Sequence, residues 1–168
     1  MNAAPENTPP REGPEFPSPE KLRLYGDFAF LAMRSPHHRR MSVANMHMAF
    51  EPPIELGQFK LFRFDGIPRG LLTWAWLGPE AERRLVTGGG LSPDDWRSGD
   101  HLWLIDVIAP YKGLIRGISR WVMEKGNLTD EDYYFRRVEE GNRTRRILHV
   151  DVRRKTGKAR ILRESDFL

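Results

Sequence analysis

The sequence predicts an α/β layer fold in which helices flank a mixed, mostly antiparallel sheet. Apolar periodicity along the chain gives the order helix, helix, strand, strand, helix, strand, helix, strand, strand. Asp65-Gly66, between the first two strands, is a strong hairpin signal. A length of 168 residues suits one domain that buries a substantial core. We therefore expect a flexible, proline-rich leader over residues 1–17, followed by a single domain over residues 18–168 with a basic C-terminal end.

The first half of the chain contains three predicted helices and one hairpin. The predicted elements are helices over 19–34, 43–50 and 80–86 and strands over 58–64 and 71–77. Ser18 is a good N-cap, and Pro19 suits the first helical position. Pro52-Pro53 should close the second helix, because proline lacks an N–H and restricts the residue before it. Pro68 should lengthen the loop between the two strands.

The second half is predicted to contain a strand, a helix and a second hairpin. The predicted elements are a strand over 101–109, a helix ending at Gly126, strands over 133–139 and 145–153, and a turn over 140–142. Pro110 ends the strand, and a glycine is a common residue just past a helix end. From Lys155 onward the chain is basic, and its pattern predicts no regular element.

Composition excludes several classes of function. The absence of cysteine excludes disulfides, thiolate metal ligands and a cysteine nucleophile, and suits a cytoplasmic protein. No apolar run reaches the roughly 18–20 residues that span a bilayer, so we expect no stable membrane insertion. From Arg136 to the end, eleven Lys or Arg oppose five Asp or Glu, whereas the formal charge of the whole chain is +4. A solvated surface explains this basic end better than nucleic-acid binding does, and we expect no nucleic-acid partner.

Asp106 is the most unusual residue of the predicted strand over 101–109. It lies between Ile105 and Val107, in the middle of an apolar run. A charge in a buried strand is costly unless it is paired or faces an opening in the core. One interpretation is an outward-pointing residue or an ion pair with an arginine. The other is a functional carboxylate in a cleft, which needs a partner elsewhere in the chain.

The segment over residues 35–40 is the densest titratable cluster in the chain. It reads Ser-Pro-His-His-Arg-Arg, with His37 and His38 adjacent. On composition alone, each histidine is best explained as an exposed loop residue. A metal site is not expected, because neighbouring histidines in an extended stretch diverge and no third ligand is near in sequence.

The strand over 101–109 is followed by Pro110, a glycine-containing turn and a helix, an arrangement in which free backbone N–H groups can face an anionic ligand group. This segment resembles the acyl-donor segment of the GCN5-related N-acetyltransferase fold. In that fold, the strand end and helix start hold the pyrophosphate or phosphopantetheine arm of the donor. Gly113 and Gly117 are present here, but the arginine-and-glycine loop typical of coenzyme A users is not.

Three motifs together resemble a more specific family. They are Ser35-Pro-x-His-Arg39, Asp94-Asp-Trp-x-Ser-Gly-Asp100 and Trp103-x-Ile-Asp-x-Ile-Ala-Pro110. In this order and spacing they resemble the toxin-activating lysine-acyltransferases, over roughly residues 24–140. The resemblance implies a dimeric variant of the acetyltransferase fold, with His38 and Asp106 as the catalytic pair. His37 stands where that motif is usually apolar, and the spacing to Arg39 favours His38.

The resemblance also implies a reaction and its partners. The family moves a fatty acyl group from acyl carrier protein to internal lysines of a repeats-in-toxin (RTX) protoxin in the cytoplasm. The donor is then the phosphopantetheine thioester of acyl carrier protein, and no tightly bound cofactor is expected. Candidate substrate- or donor-binding residues are Ser35, Arg39, Gly113 and Arg137, the last in an Arg-Val-Glu stretch that resembles the family's Arg-Val-Asp.

The chemistry of the implied pair is coherent. A lysine is mostly an ammonium group at neutral pH, and it must lose a proton before it attacks a thioester. His38 is expected to take that proton as a general base, while Asp106 orients the ring or shares the proton. A covalent acyl-histidine intermediate is the alternative route. Two rival functions are an acyltransferase of the acetyltransferase fold that uses acyl-coenzyme A on another acceptor, and a non-enzymatic nucleic-acid module.

Overall fold

A computed structural model describes residues 16–139 and 142–168. The predicted leader lies outside the described residues except for its last two, and residues 140 and 141 of the predicted turn lie outside them too.

The described residues form a six-stranded sheet with helices on both faces. The helices are α1 (Pro19–Arg34), α2 (Val43–Leu56), α3 (Pro79–Val86) and α4 (Leu114–Met123). The strands are β1 (Phe59–Phe64), β2 (Ile67–Leu77), β3 (His101–Ile108), β4 (Asp132–Val138), β5 (Thr144–Asp151) and β6 (Ala159–Leu162). The strands follow one another in sequence order across the sheet. Every neighbouring pair is antiparallel except β3 and β4, which confirms the predicted mixed, mostly antiparallel sheet.

The prediction for the end of α2 was wrong. The helix continues through Pro52 and Pro53 and ends only at Leu56, where it is capped by Gly57, whose left-handed φ of 65° suits glycine. The two prolines forgo backbone hydrogen bonds, but both are buried together with Ile54. Because apolar burial against the core favours the helix, tertiary packing overrides the local helix-breaking preference.

The β1–β2 loop is tighter than predicted. Asp65 and Gly66 both have positive φ, so they form a two-residue turn, and β2 begins at once with Ile67. Pro68 lies within β2 opposite Arg63, beside a bulge at Arg69 of the same strand. Edge strands and bulges tolerate proline because a missing N–H there costs no ladder hydrogen bond.

The sequence pattern also missed β6. Residues 159–162 pair with β5, and a 3₁₀ turn at Glu164–Phe167 follows. Strand β6 is short, and three of its four residues are exposed. It therefore lacks the alternation of apolar and polar residues by which a strand is recognised in a sequence.

Alternating residues of the strands supply two separate packing faces. Leu71, Ala75 and Trp103 pack on the side of α1, α2 and α3. Leu72 and Leu102 pack on the opposite side, against Ile118 and Val122 of α4. None of the helices within residues 16–139 and 142–168 has the length and apolarity needed to cross a membrane.

The parallel strands β3 and β4 separate soon after they meet. Only two residue pairs join them, Trp103 with Tyr134 and Leu104 with Phe135. The residues that follow on both strands, 105–107 and 136–138, line a common cavity. This gap in the middle of the sheet positions the candidate site.

Candidate active site

His38 and Asp106 are in direct contact, although 68 positions separate them in the sequence. The distance from His38 Nε2 to Asp106 Oδ2 is 2.7 Å. On the other side of the ring, Nδ1 lies 2.7 Å from the Ser35 hydroxyl oxygen. The three side chains therefore form one hydrogen-bonded row. His38 is buried, whereas the Asp106 side chain is about a third exposed.

The local sequence explains how His38 reaches this position. Helix α1 ends at Arg34, and Ser35 caps it by donating its N–H to the carbonyls of Leu31 and Ala32. Pro36 disfavours further helix, and a 3₁₀ turn at His38–Arg40 directs His38 back toward the sheet. His37 is exposed, so burial and hydrogen bonding distinguish the two adjacent histidines.

Asp106 is buried less than its strand position suggests because β3 has lost its β4 neighbour at this point. It pairs with Thr73 of β2 across a register shift in the ladder. Its side chain and that of His38 line the same cavity. The carboxylate is therefore at an opening in the core, which is where a charge in a strand is tolerated.

Ser35 can satisfy either protonation state of the His38 ring. A serine hydroxyl donates to an unprotonated Nδ1 and accepts from a protonated one. In the neutral ring, the hydrogen is on Nε2 and is donated to the Asp106 carboxylate, while Nδ1 accepts from the Ser35 hydroxyl. With both nitrogens protonated, Ser35 and Asp106 accept one hydrogen bond each. The row therefore accommodates both the basic form and the charged form of the imidazole.

The cavity beside this row has a volume of about 830 Å³. It is lined mainly by apolar side chains from α2, the strands and α4, among them Met48, Leu72, Leu104, Ile115 and Ile118. A large cavity that is mainly apolar and has a few polar groups is typical of a site that binds a largely apolar ligand.

Tyr133 and Arg136 of β4 are polar residues of this cavity that the sequence did not single out. Burial raises the pKa of Tyr133 to about 12, so its hydroxyl remains protonated and donates to Met123 Sδ. Burial also lowers the pKa of Arg136 below its ordinary value, and the charge of Asp106 opposes that shift. Strand alternation was visible in the sequence, but nothing there showed that β4 would lie beside β3.

The structure brings together some of the other predicted site residues. Ser35 contacts His38, and Arg137 lines the cavity as an exposed residue. Arg39 is exposed and does not line the cavity. Gly113 has a left-handed φ of 82° at the start of α4 but lies outside the cavity lining. Their roles in binding a donor or acceptor remain predictions.

The remaining histidines are engaged elsewhere. His101 Nδ1 is 2.6 Å from Glu82 Oε1, and His149 Nε2 is 2.6 Å from Asp132 Oδ2. His47 pairs with Glu51 on the surface of α2. Within the part of the chain that the structure describes, no group of three His, Asp or Glu side chains is arranged to hold a metal ion.

A histidine hydrogen-bonded to a carboxylate, beside an apolar cavity in an α/β fold, defines a candidate acid–base site for an apolar substrate. Residues 18–151 match the model of the RTX toxin acyltransferase family, and the chain belongs to that family.

Named relatives agree with this assignment. The RTX-II toxin-activating lysine-acyltransferase of Actinobacillus pleuropneumoniae is 41% identical over 91 residues, which are 54% of this chain and 57% of that protein. The leukotoxin-activating lysine-acyltransferase of Aggregatibacter actinomycetemcomitans is 39% identical over 91 residues, 54% of each chain. The protein-lysine palmitoyltransferase of Bordetella bronchiseptica is 33% identical over 105 residues, 61% of this chain and 57% of that protein. The matched region thus spans little more than half the length of these curated relatives.

Proposed function

We propose that this protein is a lysine acyltransferase that moves a fatty acyl group from acyl carrier protein to internal lysines of an RTX protoxin. The observation that carries the proposal is the His38–Asp106 hydrogen bond at the wall of a large apolar cavity. Family membership and the names of the relatives support the same reaction.

The first chemical task is to deprotonate the acceptor lysine. Asp106 is the carboxylate that faces the cavity, so it attracts the incoming ammonium group. As the ammonium group pairs with Asp106, it takes the place of that carboxylate at Nε2; with the ring hydrogen then on Nδ1 and bonded to Ser35, Nε2 accepts the proton of the ammonium. The resulting imidazolium is then held between Ser35 Oγ and the Asp106 carboxylate. His38 is the base, and Asp106 stabilises its charged form.

The second task is acyl transfer itself. The free amine attacks the thioester carbon, a C–N bond forms, and the C–S bond breaks. The departing thiolate of the phosphopantetheine arm takes a proton, which the His38 imidazolium can supply. The neutral His38 ring then takes the second proton from the new amide nitrogen and releases it to solvent. The apolar side chains of the cavity would surround the acyl chain and keep water from the thioester. No tightly bound cofactor is required for these steps.

An acyl-histidine intermediate fits the site less well than general-base catalysis does. Both ring nitrogens of His38 have hydrogen-bond partners at 2.7 Å. An acyl group on either nitrogen would exclude one of these bonds for the lifetime of the intermediate, whereas the imidazolium formed in general-base catalysis keeps both. A labelled acyl group that stays on denatured wild-type protein and is absent from His38→Ala would nevertheless establish the covalent route.

The proposed partners are acyl carrier protein and the RTX protoxin, the proposed assembly is a homodimer, and the proposed location is the cytoplasm. The test combines purified protein, acyl carrier protein loaded with a fatty acyl group, and a candidate RTX acceptor. Intact-mass analysis should show acyl groups on acceptor lysines. An unmodified acceptor, when a known family member modifies the same sample, would refute the proposed function.

The same assay with fatty acyl-coenzyme A as donor tests the rival activity. The proposed specificity predicts transfer from acyl carrier protein and little from acyl-coenzyme A. Equal transfer from both donors would favour the rival acyltransferase. Those outcomes leave the His38–Asp106 chemistry unchanged, because both donors carry the same thioester.

A further inference from the structure

Arg136 is held rigidly within the wall of the candidate active-site cavity. Its Nη1 donates to the Asn142 carbonyl at 3.0 Å and to Thr144 Oγ1 at 3.2 Å, and its Nη2 donates to Asn142 Oδ1 at 2.8 Å. The two partners are themselves anchored, because Asn142 Nδ2 donates to the Gly88 carbonyl and Thr144 Oγ1 to the Val86 carbonyl. The guanidinium group is therefore fixed before any ligand arrives.

Three hydrogen bonds leave part of the guanidinium group without a partner. They use both N–H groups of Nη1 and one of Nη2. Within the described residues, the Nε–H and the second Nη2 N–H of Arg136 have no acceptor. These two donors share one edge of the planar group and form a fork that suits an oxygen carrying negative charge.

Arg136 lies on the same face of the sheet as the His38–Asp106 pair. It is opposite Ile147, which packs with Trp103 on the side of α3. It lines the cavity together with His38 and Asp106, and the charge of Asp106 acts on its guanidinium group. Its neighbour Arg137 is exposed, as expected from strand alternation.

We propose that the free edge of Arg136 binds the thioester carbonyl oxygen of the acyl donor and stabilises the negative charge that develops on it. This inference rests on the proposed acyl transfer. When the amine nitrogen bonds to the thioester carbon, the electron pair of the C=O double bond moves onto oxygen. Arg136 donates to that oxygen. Collapse restores C=O and expels the thiolate, so the guanidinium group gives up no proton.

A phosphate of the phosphopantetheine arm is the other oxygen anion that such a fork could bind. The position of Arg136 favours the carbonyl. The whole pantetheine arm separates the phosphate from the thioester, whereas Arg136 shares its cavity with the residues assigned to the reacting amine. A phosphate would instead suit exposed residues at the cavity mouth, such as Arg137.

The test compares Arg136→Gln with wild type in single-turnover acyl transfer and in donor binding. The variant keeps a polar side chain but loses the charged fork, so the rate should fall about 100-fold, within the range for loss of an oxyanion donor. Binding is measured with a thioether analogue of acyl carrier protein, which lacks the carbonyl oxygen. Affinity for this analogue should be unchanged. Arg136→Lys should rescue little, because an ammonium group has no planar fork.

Arg145→Gln is the matched control, since Arg145 is an exposed arginine of β5 outside the cavity lining. If Arg136→Gln does not fold, Asn142→Gly is the second variant, because glycine suits the left-handed φ of 61° at this exposed position. It removes the side-chain bonds of Asn142 to Arg136 and to the Gly88 carbonyl, and it should slow transfer several-fold with analogue binding intact. An unchanged rate in Arg136→Gln would overturn this inference but would leave the proposed function standing. Weakened binding of the thioether analogue would assign the fork to phosphate. Absence of transfer by wild type would refute the proposed function and the inference together.

Discussion

Two histidine–carboxylate pairs involve the same strand, yet their environments are opposite. Asp106 near the end of β3 pairs with His38, and His101 at its start pairs with Glu82. In the first pair, the histidine side chain is 7% exposed and the carboxylate 31%. In the second, the histidine side chain is 54% exposed and the carboxylate 7%. Both pairs consist of a histidine and a carboxylate, so only their environments distinguish a catalytic pair from a structural one.

The partners of each carboxylate explain the difference. Glu82 Oε1 accepts from His101 Nδ1 and also from the indole Nε1 of Trp103 at 2.8 Å, so it ties α3 to β3. Asp106 has one hydrogen-bond partner, His38, among the described residues, and the rest of its carboxylate is open to the cavity. A buried carboxylate that accepts two hydrogen bonds from the protein stabilises the fold. The Asp106 carboxylate, which His38 holds on one side and which is open to the cavity on the other, is available to a substrate.

The largest expected effect is on catalysis at the first pair. Asp106→Asn removes the charge that attracts the ammonium group and stabilises the imidazolium. Acyl transfer should slow by about 10²–10⁴-fold, the usual range for acid–base groups. Rates at saturating donor and acceptor measure it, with circular dichroism as the check on folding. A loss smaller than about 10-fold would show that Asp106 is not part of the proton transfer.

The second pair should respond in stability instead. Glu82→Gln removes a buried, charge-assisted acceptor, at a cost of about 1–3 kcal/mol in the free energy of unfolding. For a chain of this size, the melting temperature should fall by roughly 2–12 °C. The folded variant should retain its rate of acyl transfer. A stable but inactive Glu82→Gln protein would contradict the structural role assigned to this pair.

A smaller effect is expected at Ser35. Ser35→Ala removes the hydrogen bond that holds the His38 ring on its Nδ1 side, and a hydrogen bond of this kind contributes about 1 kcal/mol. Acyl transfer should therefore slow roughly 5-fold. Ser35→Thr, which keeps the hydroxyl, is the matched control. Equal rates for the alanine and threonine variants would exclude a positioning role for the hydroxyl.

The smallest effect concerns Asp95, a third carboxylate, beside the cavity-lining Trp96. Burial alone would raise the pKa of Asp95, but hydrogen bonds from Ser92 and Arg84 outweigh burial and hold that pKa below its ordinary value. The unfolded chain therefore binds more protons than the folded one as the pH falls below the ordinary carboxyl pKa of about 3.9. This contribution to stability is present above that pH and is lost as the pH falls through the lower native pKa.

Asp95→Asn should accordingly show a shallower loss of stability than wild type as the pH falls below about 4. Urea unfolding at several pH values measures the difference in slope. The variant should also be less stable than wild type at pH 7, because the ion pair with Arg84 is lost. Parallel pH profiles for the two proteins would show that Asp95 does not contribute to acid unfolding.

The sequence predicted most of the elements because their signals are local. The Ser18 cap and the Asp65-Gly66 turn each depend on a few neighbouring residues. Pro52 and Pro53 were misread because burial of α2 is a tertiary effect. β6 was missed because an exposed edge strand has no strong apolar alternation.

The candidate site was predictable only in part, for a similar reason. Composition could not pair His38 with Asp106 across 68 positions, whereas the ordered motifs could. Arg136 was not recognised, because its importance depends on the parallel approach of β4 to β3. Such a pairing joins segments far apart in sequence and leaves no local pattern.

The central claim is that His38, and not His101, transfers the proton. The most direct measurement is the single-turnover rate of lysine acylation for His38→Gln and His101→Gln, measured by intact mass with one acyl carrier protein and one RTX acceptor. The account predicts a loss of about 100-fold or more for His38→Gln and a rate within about 2-fold of wild type for His101→Gln. Equal rates for the two variants, or a greater loss in His101→Gln, would contradict it.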